Sequence, residues 1–543
     1  MKKIQKIIFT LIYTFLVMTA GFAANYTWTG TQSTEWTDYR NWNKNGSPAG
    51  PGEKPTTGDD VEIPQTSTKP VITGDAISGS TLNLTINELT LKENAILTLV
   101  LKDRDVNFTC TNGITSEDVS TPGAEPGKIR VQHHSTSPGE GYGTKDLAWL
   151  VKPSGASGAK ISLTEVSSSG YKTRTVTLFN IDSVKDAVIE PSPWAADICV
   201  LKLDSDIKIS GSLNNKGTTT YKGTFYANGK TVTFNGSSSA IEGTGDMSFH
   251  NLTVESGKSL TLKSNINISG TFTKNGEFQA NDNTTVTFIG SDSKIAGTSV
   301  PTFWSLTIAS GAKLTLEKDI KIAGTFTNNQ NFAHGNKAVT FVGFGSEITG
   351  TATETEFSTL AIDKRELPAP PPYNKVTLAD GKKIKIKVFK NIYKGTFNAG
   401  SGTEITVTEE FDNTDGTFEP KTSTVKLIPS GNTVTITGTG NATDTKFYKL
   451  KLINGGNKTL KIKNKISVAE KGLELEGGTA SPPSKDPLTV SPESAGEINF
   501  YTPPTPITAP PPQRKIFNGK CRYSNSRRNI YCSPEQTSRN PVC

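Results

Sequence analysis

Along most of the chain, apolar and polar residues alternate at every second position in short runs. Leu252–Val254, Leu260–Leu262 and Ile266–Ile268 are typical, with Gly, Asn, Ser or Asp between them. A side-chain period of two belongs to a strand half buried on one face, and the intervening residues are those that turns demand. Apolar residues at helical spacing are essentially absent. The pattern predicts many short strands joined by tight turns, with no helical layer.

The runs also recur. A TVTF-like run stands at 231–234, 285–288 and 338–341, with TVKL at 424–427. An F-x-x-L-x-hydrophobic run follows at 249–254, 303–308, 357–362 and 447–452, and an SGKSLTL-like run at 256–262, 310–316 and 455–462. INISGTF (266–272) and IKIAGTF (320–326) open the next unit. The period is about 54 residues, broken once by an insertion around KRELPAPPPYNK (364–375).

Long repeats of short strands leave a propeller, a string of sandwiches or a solenoid. A sandwich needs about 100 residues, too many for this unit. A propeller blade of about 40–50 residues comes closer, but its four strands are longer than these. The fold class expected is all-β, a right-handed parallel β-helix (β-solenoid), each unit supplying two or three coils. Inward side chains of one coil would then sit on those of the next about 4.8 Å away. Phe234, Phe288 and Phe341 are expected to line up in that core, as are Leu252, Leu306 and Leu360. One unit cannot bury such a face alone, which explains the repetition. About 400 residues at roughly 22 per coil would make a rod of about 18 coils and about 85 Å.

The ends differ from this body. Lys2, Lys3 and Lys6 precede an apolar run from Ile7 to Met18, and Gly21 and Ala23 suit a cleavage site. Residues 1–23 therefore read as a secretory signal peptide, with the mature chain exported to the extracellular space or cell surface, or alternatively the periplasm. No later stretch approaches the roughly 20 apolar residues of a membrane helix. Residues 24–70 read as an N-terminal cap, 71–205 as irregular first coils with a loop excursion, and 206–476 as the repeat solenoid. Residues 477–543 read as a disordered Pro-rich linker with a basic, Cys-containing tail. Residues 128–200 are less regular, with HHSTSPGEGYG as the loop excursion.

Charge narrows the partners. The formal net charge is +7, but +3 lies in residues 1–23 and +6 in 513–543, leaving −2 for 24–512. A nearly neutral body offers no basic face, and nucleic acid is not an expected partner. The tail holds Cys521, Cys532 and Cys543, an odd set that closes no disulfide framework by itself. It reads either as a small module or as residues added by a shifted frame. Cys110 and Cys199 could pair in an oxidising compartment or stay as buried thiols.

The stretch YTWTGTQSTEWTDYRNWNKNGSPAGPGEKPTTGDDVEIPQ (26–65) carries Trp28, Gly30, Trp36, Asn41, Trp42, Pro55, Gly58, Asp59, Asp60, Val61, Ile63 and Pro64. It resembles the W-T-G…W…N-W…G-D-D-V-x-I-P segment that opens β-helical repeat regions in large secreted bacterial surface proteins, many of them adhesin-like. The texture of 209–464 is similar to that group's repeats. The resemblance implies the scaffold more than an activity, and this chain departs from members that end in a translocator. Physically, an end coil exposes unpaired backbone and an apolar cross-section, which terminal residues must cover. Trp28, Trp36 and Trp42 are suited to that cap; contact with sugar rings is the alternative.

A search for chemistry yields little. Enzymes on this fold need converging carboxylates or bases on one lateral face, whereas Asp59, Asp60, Asp282, Asp292, Asp412 and Asp415 are scattered. His133 and His134 read as loop residues, and His250 and His334 stand alone among the repeats. No catalytic, metal or cofactor residue is named, and no cofactor is expected. The function expected is an adhesin-like or structural interaction scaffold that binds a host or surface glycan or protein. The competing expectations are a carbohydrate-active lyase or hydrolase and a truncated remnant of a larger adhesin. Residues 128–170 and 364–375 are the expected contact regions.

Overall fold

The computed structural model describes residues 23–73, 81–102, 104–135, 143–168, 171–191, 198–364, 375–431, 433–438, 445–454, 459–463, 465–469 and 472–477, with the short pieces 489–492, 497–501, 519–524 and 529–534. The expected signal peptide and most of the expected linker and tail lie outside these residues. The fold is nearly all β, with stacked parallel coils forming a β-solenoid of about 15 turns. That is fewer than the roughly 18 coils expected from the sequence, because two antiparallel hairpins stand where coils were expected. Two compact units divide the chain, Met1–Phe249 and His250–Cys543.

In the first unit Asn25–Trp28 pairs in parallel with Asp60–Ile63, which pairs in turn with Leu82–Leu91 and then Val106–Ser116. A second ladder joins Val71–Thr73, Ile96–Leu101 and Lys128–Ser135. The next segment departs from the irregular coils expected. Lys128–Ser135 turns back on Gly143–Val151, and Ser154–Ser168 on Tyr171–Val184, as two antiparallel hairpins. The runs AKISLTEV and KTRTVTLF alternate over more residues than a coil face can hold, so each finds its partner locally. Parallel stacking resumes with Ile198–Leu203 and Ile207–Ile209. HHS, expected in a loop, belongs to the strand Lys128–Ser135; residues 136–142 lie outside the description.

The second unit shows how the repeat is wound. One ladder runs through Asn251–Val254, Thr271–Lys274, Ser293–Gly297, Lys313–Leu316 and Asn331–Ala333. A second runs through Ile266–Ile268, Thr285–Phe288, Ser305–Ile308, Thr325–Asn328 and Gly345–Thr349. A third runs through Ser259–Leu262, Glu277–Ala280, Thr302–Phe303, Ile320–Ile322 and Ala338–Phe341. Each coil thus takes three short strands and about 20 residues, as between Leu252 and its ladder partner Phe272.

This winding corrects the expected register. From Thr285–Phe288 to Ala338–Phe341 the chain passes eight strands, two coils and two thirds of a third. Equivalent runs therefore fall on different faces. Phe288 sits between Ile268 and Ile308, and Phe341 between Ile322 and Ile362. Leu306 sits between Val286 and Phe326, and Leu360 between Val339 and Phe389. Phe234 pairs with Ile209, and Leu252 with Phe272. All six named core residues are 0% exposed. Like stacks on unlike because the repeat is not a whole number of coils.

The interruption near 364–375 keeps this order. From Thr355 onward one long strand covers two faces, as in Thr355–Asp363, Lys383–Tyr393 and Glu404–Asp412. Thr355 takes a hydrogen bond from Asn328 Nδ2 at 3.0 Å, and Phe357 meets Phe332 at 5.6 Å, so the first ladder continues there. Past residue 476, Thr489–Pro492 and Glu497–Tyr501 still pair in parallel with Thr459–Lys463 and Lys465–Ala469. Gly519–Ser524 and Asn529–Pro534 form an antiparallel pair with Cys521 opposite Cys532.

Inside the coils, aromatic side chains interlock. Phe272 meets Phe303 at 5.5 Å, Phe326 meets Phe357 at 5.7 Å, and Phe389 stacks on Phe411 at 4.7 Å. Several buried polar residues at the corners form side-chain hydrogen bonds: Asn215 Nδ2 donates to the carbonyls of Gly223 and Asp246, and Asn391 donates to Asn413, which donates to Thr445. Lys364 is the exception in charge. It is 3% exposed, its Nζ donates to the Gly343 carbonyl, and burial pushes its pKa down to about 8.

A lysine whose folded pKa lies below its unfolded value, about 10.4, costs stability at all pH below the folded value. That cost fades as pH rises from 8 towards 10.4, because the unfolded chain then binds more protons. Lys364→Met is expected to raise stability at pH 7 by roughly 2 kcal/mol, the hydrogen bond to Gly343 offsetting part of the gain. The advantage should vanish by about pH 11 in denaturation curves; an advantage independent of pH would contradict this account.

Candidate functional site

The three tryptophans of the N-terminal segment form one knot. Trp42 meets Trp36 at 4.7 Å, Trp28 at 4.9 Å and Tyr26 at 6.1 Å, all edge to face. The strand pair Asn25–Trp28 with Trp42–Lys44 sets Trp28 opposite Trp42. A single turn of 3-10 helix, Tyr39–Asn41, delivers Trp42 to that strand, with Asp38 capping it through Arg40 N. Trp42 Nε1 donates to the Trp36 carbonyl and Trp28 Nε1 to that of Thr68, both at 2.8 Å. Trp36 reaches Phe108 in the coil interior at 6.2 Å. With exposures of 1–2%, the three rings present no surface on which a sugar could stack.

Asn41 is fully buried and holds the segment together: its Oδ1 accepts from Gln32 N and Ser33 N, and its Nδ2 donates to Ser33 Oγ and the Glu35 carbonyl. Asp59 accepts from Ala24 N and Thr56 N, and Asp60 from Asn87. The conspicuous polar residues of 26–65 are thus occupied in turn and strand contacts.

A charged cluster lies on the two hairpins. Glu165 and Arg174 are paired across Ser154–Ser168 and Tyr171–Val184, and Arg174 Nε donates to Glu165 Oε2 at 2.9 Å. Lys172 Nζ and His133 Nε2 each stand 3.5 Å from the same carboxylate. Arg174 shares the inward side with Val176 and Leu178 and is 2% exposed. On the outer side Arg130 donates to both carboxylate oxygens of Asp146 and lies 4.3 Å over the Trp149 ring. Burial alone would raise the Asp146 pKa, but hydrogen bonds from Arg130 and Gln132 hold it below the usual carboxylate value. Sequence reasoning offered none of these residues as a site, and read His133 as a loop residue.

A buried guanidinium needs its counter-charge. Glu165→Ala is expected to lower stability by about 2 kcal/mol, below the full buried-pair cost because solvent reaches this carboxylate. Glu165→Gln should lose less, since it can still accept a hydrogen bond. Chemical denaturation followed by Trp fluorescence checks the order of the two.

The other candidates do not converge. His250 Nδ1 lies 3.0 Å from Ser269 Oγ, while His334 sits in a turn, accepts from Asn336 N, and has its pKa lowered by burial. Asp292 pairs with Lys313 at 3.2 Å, and Asp412 accepts from Thr414 N at 3.1 Å. Cys110 and Cys199 are both buried and outside any disulfide, and burial pushes the Cys110 thiol up. Among the described residues no three His, Cys, Asp or Glu side chains are placed to share a metal ion. Of the expected contact regions, 365–374 lies outside the description.

The fold defines the class as a β-solenoid built from coils of three short strands. No family model, curated protein or solved structure matches the chain.

Proposed function

We propose that this is an exported interaction scaffold, displayed at a cell surface and adhesin-like, which binds a glycan or protein along its sides and catalyses no reaction. The observation that carries the reading is the way polar side chains are used. Outward positions of the parallel ladders are filled largely by polar side chains, as at Thr253 and Thr273, Thr271 and Lys294, Lys313 and Asn331, and Ser259 and Glu277, while the buried charges and carboxylates described above are occupied with partner side chains or with backbone. Extended side surface is what a solenoid offers a partner. The N-terminal leader-like segment supports export, and the resemblance of 26–65 to secreted surface proteins supports the adhesin-like role.

The test is an array of glycans and extracellular-matrix proteins probed with the exported chain, read together with release of reducing or unsaturated sugars. Saturable binding without product is expected. Turnover of a polysaccharide would replace this reading with a carbohydrate-active enzyme.

A further inference from the structure

The second ladder of the C-terminal unit differs from its neighbours in what it shows to solvent. Three successive coils carry Thr285 and Thr287, then Ser305 and Thr307, then Thr325 and Thr327, aligned side by side. Asn265 and Asn267 continue both columns at one end, and Glu347 with Thr349 ends them at the other. Between those ends no charged side chain points outward. The equivalent positions on the first ladder hold Lys294 and Lys313, and those on the third hold Glu277 and Lys321. Threonine suits any exposed strand, but exclusion of charge from one face alone is not explained by strand preference.

Trp304 borders this face, immediately before Ser305, and is only partly buried. Its Nε1 comes close to Gly324 of the next coil, where a Cβ would stand 3.0 Å from it. The Nε1 edge of the ring thus meets a position without a side chain, beside the hydroxyl columns. The same position in other repeats holds His250, beside Gly270, Ser358, and Tyr448, which is 38% exposed.

We infer that the face bearing Trp304 and the Thr285–Thr327 hydroxyl columns binds a neutral, linear β-linked hexose polysaccharide lying along the coil axis. The inference rests on the proposed interaction role and names its ligand class. Three features select that ligand. A β-linked hexopyranose has axial C–H groups on both ring faces, which suit an amphipathic aromatic ring. Its equatorial hydroxyls project at the edges, and threonine hydroxyls both donate and accept. Coils rise by about 4.8 Å, close to the advance per sugar ring of an extended β-linked chain, so one coil meets one sugar. The absence of charge disfavours uronate or sulfated chains, which would be desolvated without a counter-charge.

The experiment measures binding of the exported chain to cellulose and chitin, and to their soluble hexasaccharides, with alginate and heparin as anionic comparisons. Trp304→Ala, Thr307→Lys and Gly324→Ala are compared with the parent, each checked for unchanged circular dichroism. The expected result is binding to a neutral β-glycan, reduced at least tenfold by Trp304→Ala and by Thr307→Lys, and reduced less by Gly324→Ala, which tilts the ring without removing it. Neutral-glycan binding indifferent to all three variants overturns the placement. Binding only to anionic chains or matrix proteins overturns the ligand class and leaves the interaction role standing. If no ligand of any class binds, both the inference and the role fall.

Discussion

Replacing Trp42 by alanine is expected to lower stability by about 3–5 kcal/mol, the range for deleting a large buried aromatic. Trp42 touches Trp28, Trp36 and Tyr26 at once, and its indole N–H satisfies the Trp36 carbonyl. Removing it leaves three rings without their shared contact and a buried carbonyl without its donor. The knot covers the start of a parallel ladder, so a second effect follows. Unpaired strand edges and apolar cross-section become available to other chains. The variant should show a lower denaturation midpoint and concentration-dependent aggregation by light scattering. Trp42→Phe, which keeps ring contacts but not the hydrogen bond, should recover most of the stability. Equal loss in both variants would show that the hydrogen bond, not the rings, is decisive.

Gly297→Val is expected to be comparably severe, at about 4 kcal/mol, combining backbone strain with forced overpacking. Gly297 closes the strand Ser293–Gly297 with φ 119°, a conformation that β-branched residues all but never adopt. A Cβ there would stand inside van der Waals contact with the Lys274 carbonyl one coil below. Gly350, in the equivalent place of the next repeat, has φ 122° and faces the Asn328 carbonyl in the same way. The close approach lets the following residue bond to that coil, as Thr298 N does to Lys274 O at 3.0 Å. Hydrogen exchange should show lost protection localised to 271–300 in the variant. Unchanged protection there would mean the coil corner adapts freely.

The strands were readable in the sequence because alternation is written residue by residue. Leu260–Leu262 or Ile266–Ile268 need no distant information to be recognised as half-buried. The winding was not readable, because nothing in TVTF or FxxL states how many strands complete a circuit. A repeat of about 54 residues invites like-on-like stacking, whereas Phe288 rests against Ile268 and Ile308. The charged cluster had a usable signal that was missed. SSSG between two alternating runs marks a hairpin, and folding the chain there sets Glu165 opposite Arg174. His133 was hidden by its context, since a Gly- and Pro-containing stretch follows the strand that buries it. The Thr columns were hidden for the opposite reason. Their members are the commonest exposed strand residues, and only the ladder registers reveal that they share one face.

Winding by eight strands against a circuit of three also governs how such a chain can change length. Removing one repeat from the C-terminal unit would shift every later strand by one face, turning outward features through about a third of a circuit. The columns that now share a face would be dealt to different sides. Changes that preserve phase come only in steps of three repeats, or of one whole coil. The interruption after Phe341 obeys this rule: it adds one coil, and Thr424–Leu427 falls on the first ladder, where an uninterrupted repeat would have placed it. Growth by duplication in this chain is therefore quantised by direction as well as by length, and a partner that reads one side sets the permitted step.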